Sequence, residues 1–550
     1  MERFVACALA GLSGALAGSS SAQTPWISVQ GQTISDAFGS SLAAGGDLDG
    51  DGHGDFWVGA LSDQLAGEML GSARAYSGAT GKQLGELWGP QATSHFGEHI
   101  VGGFDWDLDG SFDVAIGARG VSIPGFSAGR VYVYSGVGPQ KLATFAANSG
   151  GDFFGDAFDV IGDVDGDGGL EIAIGAPQDD ALPLTNCGTV TVHSSASGAQ
   201  LYALGGTVAL GGLGRAVIGT GDLDLDGFPD LVAASPSGIG FVRAYSGASG
   251  AVLYTIHGPA GGEWAYLTLA PAGDLDEDGR ADFYIGAPWV DAQGIDSGEL
   301  RAHSGADGSL IYKLSGPPGA EFGQSIARVG DLDGDGKDEV VIGSPKTPSR
   351  AGELYFGAVR LISGADGAQL ALFEGQGGFF GEAVAGIGDV QGDGVPDFAC
   401  GAPDYKGLEV GGLVRVHSGS SQPLWSAHSQ LSLSTGVPQT LALDAGAQRA
   451  GHIYLVLGSL SGTAPGLPTA AGILPLTADA YLQATLALPN TAVLQGSLGV
   501  FDALGSARAR FAPPNLSALH GKLVHHAYVA LEPGGALSFI SNAVPTTLVP

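Results

Sequence analysis

The sequence predicts an all-β protein, a seven-bladed β-propeller followed by a small C-terminal β-sandwich domain, and three observations predict it. An acidic loop of the form D-x-D-x-D-G-x-x-[DE] recurs seven times, its first aspartates at Asp47, Asp105, Asp163, Asp222, Asp274, Asp331 and Asp389. The spacings are 58, 58, 59, 52, 57 and 58 residues, and a fixed period of this size marks a stacked repeat architecture. Beyond residue 430 the period stops and alternating apolar runs such as "HIYLVLGSL" and "AYLQATLAL" take over, separated by turn residues.

Each unit carries further marks in a constant order. Phe38-Gly39, Phe96-Gly97, Phe154-Gly155, Leu213-Gly214, Trp264-Ala265, Phe322-Gly323 and Phe380-Gly381 precede the acidic loops, six of the seven by nine residues. A short β-rich run and a tight turn follow each loop, as in "VVIGSP" and "FYIGAP", and a third mark of the type "VRAYSGASG" comes next. A fourth apolar run, such as "SLIYKLSG", completes the unit. One unit therefore makes one four-stranded antiparallel sheet, and stacking the sheets around an axis covers the apolar faces that each alone would leave in water. "PWISVQG" near the N-terminus resembles a fourth strand and is one candidate to complete the last sheet; "QPLWSAH" (422–428) is the other.

Composition sets limits on function. The chain has 550 residues with 96 glycines and 28 prolines, which suits short strands and many turns. Its formal net charge of -34 opposes a nucleic-acid or anionic-membrane partner, since either needs a basic face, and favours cations. Residues 1–22, "MERFVACALAGLSGALAGSSSA", read as a signal peptide, with an apolar run too short and too interrupted to span a bilayer. No later run is long enough for a transmembrane segment. With Cys7 removed, Cys187 and Cys400 remain, four units apart and expected unbridged.

The acidic loops carry the chemistry. The candidate metal ligands are Asp47, Asp49, Asp51 and Asp55; Asp105, Asp107, Asp109 and Asp113; Asp163, Asp165, Asp167 and Glu171; Asp222, Asp224, Asp226 and Asp230; Asp274, Asp276, Asp278 and Asp282; Asp331, Asp333, Asp335 and Glu339; and Asp389, Gln391, Asp393 and Asp397. Hard oxygen donors in this number suit Ca²⁺, up to seven ions, better than Mg²⁺ or Zn²⁺. Position 6 is glycine in all seven loops, as a turn with positive φ requires. Position 12 is apolar or Cys400 throughout, which rejects an EF-hand, where an acid must stand there. Carboxylates about 4 Å apart repel by roughly 4 kcal/mol at an effective dielectric of 20, so a bound cation is expected to be part of the fold.

Phe-Gly, the acidic loop and Gly-Ala-Pro together resemble FG-GAP repeats, the units of the integrin α-subunit propeller and of many bacterial secreted proteins. The resemblance spans roughly residues 30 to 420. It implies ligand engagement through the face away from the calcium loops. On that face the loops 119–129, 177–187, 288–298 and 346–357 vary in length and chemistry over a repeating frame, as recognition loops do. Trp289, Tyr355 and Tyr405 are the candidate contact residues.

Catalytic signals are weak. "GFSAG" (125–129) lies in a Gly/Pro-rich segment instead of a strand-to-helix turn, so Ser127 is not expected to be a nucleophile. His95 and His99 flank Phe-Gly without a helical face, and His525-His526 are expected in a strand. The domain reading is signal peptide 1–22, propeller 23–429 and β-sandwich 430–550. The function expected is a secreted or extracytoplasmic, non-catalytic, monomeric module recognising a surface protein or glycan. Its rivals are a secreted carbohydrate-active enzyme, either polysaccharide lyase or hydrolase, and a structural cell-envelope component.

Overall fold

Seven four-stranded antiparallel sheets follow the repeats one for one. The computed structural model describes residues 25–549 except 34–35, 124–125, 148, 181–182, 239, 260–263, 333–335, 349–354, 376, 393, 405–410, 420–423, 427–429, 433–438, 445–450, 461–466, 470–471, 475–480, 482–489, 491–492, 496, 501–505, 513–522, 532–536 and 541–543. The signal-peptide reading of 1–22 therefore lies outside the described residues. Two compact units divide the chain, Pro25–Gly419 and a second containing Ser420–Pro550.

Sheet one is typical, with strands Phe38–Gly46, Asp55–Ala60, Ser72–Tyr76 and Gln83–Trp88 paired in chain order. The second strand is buried along its length in all seven sheets. That burial on both faces is why "FWVGA" and "VVIGS" read as continuous apolar runs and not as alternations. The cores lie between sheets. Val190, Val192 and Leu204 of sheet three, for example, pack against Leu213, Val217 and Leu231 of sheet four.

The first strands of successive sheets touch in a closed cycle, and the last of them, Val384–Gly388, touches Phe38–Gly46 of sheet one. This is the arrangement of a β-propeller. The Phe-Gly and Gly-Ala-Pro marks explain the tightness of each joint. Gly59, Gly117, Gly175, Gly286, Gly343 and Gly401 each face the backbone carbonyl of the glycine after the Phe or Leu that opens the next sheet. The partners are Gly97, Gly155, Gly214, Gly323, Gly381 and, completing the cycle, Gly39; a Cβ at any of the six would overlap that oxygen. The joint between sheets four and five departs on both sides, with Ala234 for the first glycine and Ala265 for the second. The one aromatic pair set ten residues ahead of its loop, Trp264-Ala265, stands at the same joint.

The last sheet takes its fourth strand from the other end of the chain. Ile27–Gln30 pairs antiparallel with Leu413–His417, Ile27 opposite Val416 and Gln30 opposite Leu413. Ile27 and Val29 turn inward and join the core between sheets seven and one. Leu424–Ser426, the other candidate, pairs instead with Gln439–Asp444.

The second unit is a β-sandwich. One sheet holds Leu424–Ser426, Gln439–Asp444, Ser506–Phe511 and Leu494–Gln495, and the other is built around Ile453–Ser459 and Leu523–Leu531. Leu441, Leu443 and Phe511 of the first face Tyr454, Val456 and Tyr528 of the second. His526 is buried in this core, its ring 4.5 Å from that of Phe511 and its Nε2 3.1 Å from the Tyr481 hydroxyl. It packs as an aromatic residue. Cys187 and Cys400 are both buried and not bridged to one another.

Candidate metal centres

In each sheet the acidic loop joins the first strand to the second, and its nine positions divide the work. At position 1 the carboxylate accepts the N–H of the position-6 glycine at 2.7–3.0 Å in all seven loops. That glycine has φ between +83° and +95° throughout, a conformation that costs other L-residues steric energy. At position 5, Asp51, Asp109, Asp167, Asp226 and Asp278 accept the N–H of position 7 at 2.8–3.0 Å. Position 4 is also left-handed in the six loops where it is described, and there Leu108, Leu225 and Glu277 hold φ near +60° without being glycine. Non-glycine residues occupy that region uncommonly, so the loop geometry overrides local preference.

The acid at position 9 proves to be the hub. Asp55, Asp113, Glu171, Asp230, Asp282, Glu339 and Asp397 are all fully buried at the start of their strands. Each accepts the N–H of its own position 2 at 2.5–2.9 Å. Through the other oxygen, the five aspartates also accept the N–H of the glycine in the Ser-Gly turn that follows strand three, at 2.8–3.4 Å. One carboxylate thus fastens two turns of its sheet together. The turns approach so closely that a Cβ on Gly78, Gly247, Gly305, Gly364 or Gly419 would overlap the carbonyl oxygen just before the position-9 acid. Sequence reading assigned these acids to the metal alone and missed this second role. The recurring Ser-Gly pair was its signal.

Four loops gather carboxylate oxygens of positions 1, 3 and 9 within 4.8 Å of one another: Asp47, Asp49 and Asp55; Asp105, Asp107 and Asp113; Asp163, Asp165 and Glu171; Asp274, Asp276 and Asp282. The fourth loop gathers Asp222, Asp224 and Asp226 in the same way. Asp333, Asp335 and Asp393 lie outside the described residues, so the loops that begin at Asp331 and Asp389 are only partly seen. Burial, reinforced by the neighbouring aspartates, raises the position-9 acids: Asp113, Asp230 and Asp282 to about 6, and Glu171 to about 7. Glu171 Oε1 is buried with no hydrogen-bond partner among the described residues. The donor set is all oxygen, concentrated and short of positive charge, which fits a hard divalent cation.

Neighbouring loops also touch. Lys337 at position 7 of the sixth loop places Nζ 2.8 Å from the carbonyl of Asp274 and 3.3 Å from Glu277 in the fifth. Arg280, at position 7 of the fifth, donates to the carbonyl of Leu223 in the fourth. In these two loops the position-7 side chain thus reaches the preceding loop.

Because antiparallel strands reverse at every turn, the Phe-Gly and Gly-Ala-Pro segments emerge at the opposite end of each sheet. Trp289 and Tyr355 stand there, 43% and 47% exposed. Trp289 lies 5.4 Å from the Tyr266 ring and Tyr355 5.1 Å from Phe379. Tyr405 lies outside the described residues. Ser127 sits in a two-stranded hairpin, Ser122–Ile123 with Phe126–Ser127. His99 points Nε2 at the Phe158 carbonyl, 3.0 Å away, and its ring meets Phe158 at 4.6 Å; His95 is 3.5 Å from Glu98.

The FG-GAP-like repeat family matches residues 222–285, and the FG-GAP repeat family matches residues 322–361. The chain carries FG-GAP repeats. It is 28% identical over 258 residues to integrin alpha-V of Gallus gallus, covering 43% of this chain and 24% of that one. To integrin alpha pat-2 of Caenorhabditis briggsae it is 31% identical over 221 residues, covering 33% and 17%. To integrin alpha-5 of Xenopus laevis it is 30% identical over 215 residues, covering 34% and 19%. The FG-GAP protein thus matches less than a quarter of the length of these relatives. Among solved structures, BBS1N in complex with ARL6DN is similar at a TM-score of 0.46 and 10% identity, over 72% of this chain and 98% of that one. Among the described residues, no helix is long and apolar enough to cross a membrane.

Proposed function

We propose that this FG-GAP protein is a secreted or surface-held, non-catalytic propeller that binds calcium in its acidic loops and recognises a surface ligand through the opposite face. In this reading residues 1–22 are a cleaved signal, the unit Pro25–Gly419 is a monomeric propeller, and the unit that contains Ser420–Pro550 is the sandwich that serves attachment or display. The carrying observation is the convergence of positions 1, 3 and 9 in four separate loops, which brings three carboxylate oxygens within 4.8 Å each time. Each such trio, with the backbone carbonyl of position 7 and water, supplies the six to eight oxygens that Ca²⁺ accepts. If seven loops are filled, the formal charge falls from -34 to about -20.

Support for recognition comes from the frame itself. A rigid ring of buried second strands presents variable loops at its Phe-Gly end, where scaffolds carry binding. The similarity to integrin α subunits supports an adhesion role. Calcium should stabilise the folded unit by about 2.7 kcal/mol for each site at a hundredfold excess over its Kd. The test is isothermal titration of chelator-stripped protein with CaCl₂, together with retention of full-length protein on intact cells and on extracellular matrix with and without calcium. The reading requires several equivalents of Ca²⁺ and calcium-dependent retention. No heat of binding and no retention on any surface would overturn it.

A further inference from the structure

The residue immediately after each Phe-Gly pair faces the axis at the end remote from the acidic loops, and these residues form a connected polar set that the metal chemistry does not use. Glu98, Asp156, Arg215, Tyr266, Gln324 and Glu382 occupy this one position in sheets two to seven. The closed cycle of first strands brings them together. Arg119 bridges two of them, with Nε 2.6 Å from Glu98 and Nη1 2.8 Å from Asp156. Arg215 pairs with the same Asp156 and lies over the Tyr266 ring, 5.4 Å from its centroid. Across the ring, Gln324 donates to Glu382 at 3.3 Å. The Tyr266 hydroxyl lies within electrostatic reach of Arg215, Glu382, Asp156 and Glu98, from four different sheets. Ser40, the same position in sheet one, has its hydroxyl buried with no hydrogen-bond partner among the described residues. All six residues keep partial exposure where seven sheets meet, although the Asp156 side chain itself is only 3% exposed beneath its two arginines.

We infer that this axial polar set binds a neutral oligosaccharide, with Trp289, backed by Tyr266, stacking on a sugar ring and the carboxylate, guanidinium and amide groups around the axis bonding its hydroxyls. The inference rests on the recognition reading above and names its ligand. Charge selects the class. A cationic group would meet Arg215 and Arg119 already seated on Asp156 and Tyr266, whereas an anionic one would meet Glu98 and Glu382. A neutral polyol avoids both repulsions. Planar groups with two donors or two acceptors side by side match adjacent sugar hydroxyls, and both kinds are present within one set. The aromatic element is present and open: Trp289 is 43% exposed, tilted 35° against Tyr266 at 5.4 Å, and presents an apolar face to the C–H side of a pyranose. A few placed polar groups beside aromatic surface are the usual make-up of a small-ligand site.

The test uses the full chain with calcium present and a panel of cellotetraose, mannotetraose, xylotetraose and chitotetraose, with trigalacturonate and tetralysine as charged probes. Binding is read by saturation-transfer NMR and by calorimetry. At least one neutral tetrasaccharide is expected to saturate, and the charged probes are expected not to. Trp289→Ala, at an exposed site, should weaken that binding at least tenfold with an unchanged melting midpoint, and Arg215→Lys should do the same while keeping the charge. Silence of all four neutral sugars, or binding that survives both substitutions, overturns the inference. If the sugars are silent while the protein is still retained by deglycosylated matrix in calcium, the glycan assignment falls and the recognition reading stands. If there is neither sugar binding nor retention, both fall.

Discussion

Replacing Asp282 by alanine should cost more than any single exposed ligand of its loop. Its buried carboxylate accepts three backbone N–H groups, from Leu275 at 2.6 Å, Gly305 at 2.8 Å and Asp276 at 3.3 Å, and lends an oxygen to the cluster with Asp274 and Asp276. A hydrogen bond to a charged group contributes about 1.5–3 kcal/mol, and two of these three are short. Alanine would leave the Leu275 and Gly305 donors unpaired and remove a cation ligand, for a loss of roughly 3–5 kcal/mol in calcium. Asp278→Ala, at an exposed position with one N–H to lose, should cost about 1 kcal/mol apart from its share of the cation. Urea unfolding of both variants, with calcium and with chelator, reads the difference. The chelator arm separates the roles, since the hydrogen-bond part of the Asp282 loss persists without metal and the cation part does not. If Asp282→Ala unfolds within 1 kcal/mol of wild type in chelator, the hub described here is wrong.

Protons should compete with the cation. In metal-free protein Asp113, Asp230 and Asp282 titrate near 6 and Glu171 near 7, above their unfolded values. Their contribution to metal-free stability is therefore present in acid and is lost as pH rises from about 4 to about 7, while calcium affinity rises over the same window; calorimetry at pH 5 and pH 7.5 checks this. Chelation at pH 7.5 should lower the melting midpoint of Pro25–Gly419, and an unchanged midpoint would count against structural calcium. Gly305→Ala should cost roughly 1–3 kcal/mol by pressing a methyl onto the Ala281 carbonyl, whereas Gly136→Ala, whose nearest atom is 4.0 Å away, should pay only its positive-φ penalty of about 1 kcal/mol; thermal melts compare them. Val29→Asp puts a charge into the core between sheets seven and one and should cost at least about 3 kcal/mol, seen as faster hydrogen exchange in Leu413–His417.

Period and motif made the repeats, the sheet of each unit and the acidic loops legible, because those features are local. The aspartates at positions 1 and 3 lie two residues apart, and the loop that holds them is decided within nine. What escaped the sequence depends on approach between distant segments. The position-9 acid meets a glycine 17 to 23 residues on, and the Gly-Ala glycine meets the next sheet, so neither role shows in a local window. Leu108, Leu225 and Glu277 escaped for another reason, since nothing in their chemistry advertises a left-handed backbone. The axial set was hidden because its members share only a place after Phe-Gly and differ in type. Both candidates for the closing strand carried the right pattern, and only pairing with Leu413–His417 distinguishes Ile27–Gln30.

That pairing has a consequence for biosynthesis. Ile27–Gln30 is made before six other sheets and its partner only after them, so this strand waits longest of the described propeller strands to be locked. Until then Leu413–His417 is an open edge, able to accept the same segment from a second newborn molecule as well as its own. Dilution favours the intramolecular latch, and crowded refolding favours exchanged dimers; size-exclusion profiles that stay the same across a hundredfold range of refolding concentration would exclude such exchange. The circle is thus sealed by a contact of high sequence separation, and the rate of sealing should be limited by loop closure and not by the folding of any one sheet.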